Sequence, residues 1–206
     1  MNRNKVAYAW IWSSLEDLHL GFFLSSELHR PYKIFNEILA LEKVLKALLL
    51  YHSGDKYEKL SEKQSEAVIE DLAKEYGHKI KKMLKESSEY LGDNFFDGLK
   101  KDDFDGFSGA DMIKAVEAGY MESRYPTLKP IYEYFKIKGL DIYRDPLGSS
   151  GVTKFVYTVN KSVLLHLKSN LSLSSVRERF THTYGHMEET ARFINLAFDR
   201  DITKYL

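Results

Sequence analysis

Apolar residues recur at spacings of three and four along most of this chain. That is the period of helices buried along one face. The clearest stretch opens at Pro31, a residue suited to a first helical position. Its stripe of Ile34, Ile38, Leu41, Leu45 and Leu48 runs to a stop at Ser53-Gly54. Glu42 and Lys46 lie one turn apart on its flank and can pair. An earlier helix is predicted over residues 6–28, and a third helical stretch over 62–91, bent near Gly77. An Asp-rich loop is predicted over 92–109, then a helix over 110–123 and Pro126 and Pro130 as punctuation. A short helix to residue 138, an irregular stretch over 139–152 and helices over 153–169 and 174–198 complete the reading. Four prolines and little strict alternation argue against sheet. The expected fold is all-α, a single domain over 1–206, built as an up-and-down helical bundle with additional C-terminal helices.

Composition narrows the chemistry. The 206 residues are 44% hydrophobic and include no cysteine, which excludes disulfides, thiolate zinc sites and cysteine nucleophiles. Thirty basic and thirty acidic residues cancel. A neutral chain is not a bulk polyanion binder, so any such surface must be local. Residues 151–206 supply one, with eight Lys or Arg against five Asp or Glu, a local charge of +3. No uncharged run approaches the length of a membrane span. A cytoplasmic protein without membrane partners is expected.

The acidic run 101–106 invites a calcium reading, but the spacing fails. A turn at Gly106 places Lys101 and Met112 where the end ligands should be Asp and Glu. His182 and His186 stand one turn apart and could share a metal, yet no third ligand is fixed by the sequence. His19, His29, His52 and His166 stand alone as packed or exposed side chains. No metal and no cofactor is expected.

The segment Arg177-Glu178-Arg179-Phe180-Thr181-His182-Thr183-Tyr184 carries more. On an ideal helix, Val176, Phe180 and Tyr184 begin an apolar stripe. His182 then lies about 150° from the stripe's centre and Arg177 about 65°. An outward histidine needs no core role. Histidine can move a proton near neutral pH. A guanidinium can brace phosphate oxygens in two-pronged fashion.

Three further segments supply a resemblance. Ile38-Leu-Ala-Leu-Glu42-Lys43-Val-Leu-Lys46-Ala-Leu-Leu-Leu50 resembles the "A-x-E-K-x-L-K-A-L-L" helix of HEPN-domain proteins. Tyr76-Gly-His78-Lys-Ile-Lys-Lys-Met-Leu84 resembles their "G-H-D-L-x-x-L" segment, with Lys79 in place of Asp. Glu122-Ser-Arg124-Tyr125-Pro126 resembles the "R-Y-P" that often follows. Order and spacing agree over about residues 15–126. The resemblance implies a helical bundle that forms a homodimer. Many HEPN members are metal-independent endoribonucleases that use an "R-x(4–6)-H" motif. Arg177 and His182 match that spacing, and Tyr184 matches the "R-N-x-x-x-H-x-Y" form of toxin members. Glu178 stands where Asn, Asp or His is usual.

Two readings follow. In the first, His182 is the general acid and base, Arg177 braces phosphate, and Tyr184, Arg179, Glu178 and Lys161 contact RNA. In the second, the chain is a non-catalytic module that binds RNA or nucleotide or simply dimerises, with Arg124 and the lysines at 79–85 mattering more. Fourteen tyrosines serve either reading equally.

Overall fold

The computed structural model describes residues 3–24, 30–53, 61–124, 147, 149–167, 173–184, 193 and 197. Among them eight helices and one two-stranded hairpin are found. The helices are α1 (Arg3–Phe23), α2 (Arg30–His52), α3 (Glu62–Tyr76), α4 (Ile80–Leu91), α5 (Phe95–Lys101), α6 (Gly109–Arg124), α7 (Gly151–Leu167) and α8 (Leu173–Tyr184). The hairpin pairs β1 (Asp103–Phe104) with β2 (Phe107–Ser108). The fold is an all-α helical bundle, as the spacing predicts.

Helix α2 is the central post, packed against α1, α4, α6 and α7. Its predicted stripe of Ile34, Ile38, Leu41, Leu45 and Leu48 is buried, and so are Val44, Leu49 and Leu50. A helix apolar on this much of its surface belongs inside a bundle. Helix α1 runs antiparallel to it. Gly21 lies against Lys33 and Asn36, the Ser14 hydroxyl donates to the Ala40 carbonyl at 2.8 Å, and Trp10 lies against Lys46, so numbers rise on one helix as they fall on the other. Helix α7 runs parallel to α2: Thr153 meets Glu37 near one end and His166 meets His52 near the other.

The bend expected near Gly77 falls there, between α3 and α4, with Gly77 at φ 51°. The loop expected over 92–109 is instead a short helix and a hairpin. Leu99 and Phe104 bury themselves within the Asp-rich stretch and anchor it. Asp105 and Gly106 form the hairpin turn with φ of 56° and 83°, the left-handed pair that matches strand twist. A Cβ on Gly109 would lie 1.8 Å from the Leu99 carbonyl oxygen, so only glycine lets α6 start this close to α5. Asp105 accepts from Ser150 and Lys154, tying the hairpin tip to α7. The Asp-rich stretch therefore makes structural contacts within the bundle. The predicted helix to residue 138 and most of the irregular stretch over 139–152 lie outside the described residues.

Candidate functional site

Helix α8 carries the Arg and His singled out by spacing. Val176 and Phe180 are fully buried and Tyr184 is half-buried, so one narrow stripe attaches the helix to the bundle. Phe193 and Ala197 are also buried. They lie one position before Ile194 and Phe198, the predicted continuation of the stripe, which lies outside the described residues.

The attachment is aromatic. Phe180 packs on Trp12 at 5.5 Å between ring centroids. The Tyr184 hydroxyl donates to Glu16 Oε1 at 2.9 Å, and the Trp12 indole donates to the same oxygen at 2.8 Å. Tyr184, expected as an RNA contact, is thus committed to docking α8 on α1. Burial, with Glu16 as a second cause, pushes its hydroxyl pKa up. His19 sits beneath, among Phe23, Phe180, Tyr184 and Phe193, at 4.7, 5.2, 5.0 and 4.9 Å. Burial holds its imidazole below the usual range.

The rest of α8 faces solvent. Arg177, Glu178, Arg179 and His182 are all exposed. Among the described residues none of the four side chains enters an ion pair, hydrogen bond or ring contact; the Arg177 carbonyl accepts from the Thr181 hydroxyl at 2.9 Å. Other histidines with described side chains are engaged: His19 in its aromatic cluster, His78 on Glu42, and His52 with His166. His29 and His186 lie outside the described residues. Arg177 and His182 are five positions apart on a continuous helix. They therefore point about 140° away from each other and are offset by about 7.5 Å along the axis. One copy of α8 does not bring them onto one phosphate.

Lys161, expected as a phosphate contact, is 8% exposed on α7. Its ammonium is withdrawn from the surface that a nucleic-acid backbone would meet. The alternation of buried Val156, Val159, Val163 and Leu164 around it marks this as a core-facing stretch, a signal readable from the sequence.

The residues that carry the resemblance do converge. Glu42 is buried on α2 and accepts from Lys46 at 2.5 Å and from His78 Nδ1 at 2.6 Å. His78 stands just before α4, so the two motifs meet in one triad across α2 and α4, buried at Glu42 and Lys46 and half-exposed at His78. Lys46 also lies 5.6 Å from the centroid of Trp10. Nearby, Tyr76 donates to Glu86 at 2.6 Å and Lys82 covers its ring. Of the lysines at 79–85, Lys79, Lys81 and Lys85 are exposed, while Lys82 bridges Glu75 and Glu86. Arg124 ends α6, and Tyr125-Pro126 lie outside the described residues.

A second buried polar group lies between α2 and α7. Thr153 donates to Glu37 Oε1 at 2.9 Å, and Lys33 stands 3.7 Å from the same oxygen. Among the described residues, Glu37 Oε2 and the Tyr157 hydroxyl are buried and find no hydrogen-bond partner. Among the described residues no three His, Cys, Asp or Glu side chains form a metal cluster, and no helix is long and apolar enough to cross a membrane.

No family model matches the chain, and neither a curated protein nor a solved structure matches it.

Proposed function

We propose that this chain is a HEPN-like, metal-independent endoribonuclease that works as a homodimer. One observation carries the reading. The bundle leaves Arg177 and His182 exposed and unengaged on a helix whose other face is firmly docked. The angle between them fits a site shared by two copies, in which Arg177 of one and His182 of the other meet across a two-fold axis. The convergence of Glu42, Lys46 and His78 supports the HEPN-like part of the reading, because it gives two of its motifs a joint structural role.

The chemistry needs little else. Neutral His182 takes the proton of a ribose 2′-OH as that oxygen attacks phosphorus. The P–O5′ bond breaks, and the imidazolium returns its proton to the departing 5′-oxygen. The products are a 2′,3′-cyclic phosphate and a free 5′-OH. Arg177 braces the crowded anionic phosphate. Arg179, exposed two positions on, extends the cationic surface along the backbone.

Subunit mixing tests this. Arg177→Ala and His182→Ala proteins should each be inactive alone. A mixture allowed to exchange subunits should regain activity, because one of the two sites in a mixed dimer is intact. Activity lost in both and not regained, or retained by either, overturns the shared site.

The wide separation of Arg177 and His182 within one copy favours a second reading, a non-catalytic module that holds RNA on the arginines of α8. Under it, RNA binds and stays whole.

A further inference from the structure

At the far end of the bundle, two histidines that are 114 positions apart in sequence meet. His52 Nε2 lies 2.8 Å from His166 Nε2. His52 ends α2, and His166 lies in the last turn of α7. Both histidines are partly exposed. The His52 ring is fixed by its neighbours: it stacks on Tyr90 of α4 at 4.0 Å with 5° between planes, and Tyr51 abuts it at 5.0 Å.

The geometry points to a site for a borderline divalent metal ion of the zinc class, held by His52 and His166. Neutral imidazole is the commonest protein ligand for such ions. Two imidazole nitrogens on one tetrahedral ion, each at about 2.0–2.1 Å, stand about 3.3 Å apart. A small ring rotation opens the present 2.8 Å to that span. Helix C-termini present partial negative charge, and two of them end beside this pair, which favours a cation. Among the described residues no third protein ligand joins. Among the described residues no carboxylate joins the pair to favour oxygen-seeking ions such as magnesium and calcium. The ion would clip the end of α2 to the end of α7 and is independent of the exposed face of α8.

Titration calorimetry with zinc chloride tests the site on the full chain. The natural protein should bind one ion at this pair. His166→Ala and His52→Phe, the latter keeping the stack on Tyr90, should each weaken binding by about ten-fold or more. Equal binding in natural and variant proteins, or none in the natural protein, overturns the site and leaves a plain imidazole–imidazole hydrogen bond. A second measurement needs no variant. Substoichiometric nickel added to the natural protein should broaden the ring signals of His52 and His166 first in NMR spectra. Selective broadening of His182 or another histidine contradicts the assignment.

Discussion

His78 Nδ1 lies 2.6 Å from Glu42 Oε2, while the other oxygen of the same carboxylate holds Lys46 at 2.5 Å. One buried acid thus joins two helices and pairs with Lys46, a residue only 5% exposed. Removing one partner of a buried pair leaves the other charged and unsolvated. Glu42→Ala should destabilise the protein by about 3–5 kcal/mol. His78→Ala, at a half-exposed ring, should cost about 1 kcal/mol. Urea unfolding of both variants checks the order. Equal losses would contradict the central place of Glu42.

Glu37 gives a pH signature. Burial raises its carboxyl pKa above the ordinary value of 4.5, opposed in smaller measure by Lys33 and Thr153. A folded pKa above the unfolded one means folding favours the protonated form. The stabilisation is full below the unfolded pKa and is lost as pH rises through the folded pKa. Glu37→Gln keeps an acceptor for Thr153 and removes this titration. The natural protein should therefore lose stability relative to Glu37→Gln as pH rises from 4.5 towards neutral. Urea midpoints across that range measure it, and a flat or opposite trend would refute the cause given.

Much of the bundle is legible in the sequence because it depends on local period. The stripe from Ile34 to Leu48 is buried as spacing requires, and Gly77 bends the chain where a glycine breaks the pattern. The hairpin was hidden because Leu99 and Phe104 are single anchors among aspartates, too few to set a period. The exposed side of α8 follows from its wheel, but the distance between helices does not. Local spacing brings no information on His52 and His166, or on Glu37 and Thr153, since each pair is closed by packing across more than 110 positions. The burial of Lys161 follows from its valine-rich surroundings on α7 rather than from its charge.

The docking of α8 rests more on Phe180 than on Tyr184. Phe180 is fully buried against Trp12, His19 and Phe193. Phe180→Ala should cost about 3–5 kcal/mol. Tyr184→Phe removes one hydrogen bond to Glu16 and should cost about 1 kcal/mol. Thermal and urea unfolding compare the two. A larger loss for Tyr184→Phe would mean that the polar clamp, not the aromatic one, holds the helix.

Gly109 admits no side chain without movement of the Leu99 carbonyl. Gly109→Ala should destabilise by about 2–3 kcal/mol through forced separation of α5 and α6. Gly98→Ala, where nothing lies within 4 Å of the added carbon, is the control and should be nearly silent. Similar losses at both positions would refute the close approach.

The central claim is that α8 presents a metal-free ribonuclease site. The direct measurement is cleavage of a mixed RNA pool by purified protein in EDTA, beside His182→Ala. His182 is exposed and among the described residues enters no side-chain hydrogen bond, ion pair or ring contact, so the variant should match the natural protein in stability within about 0.5 kcal/mol. The account predicts cleavage that leaves 2′,3′-cyclic phosphate ends and disappears in the variant. Intact RNA, or equal cleavage by both proteins, would contradict it.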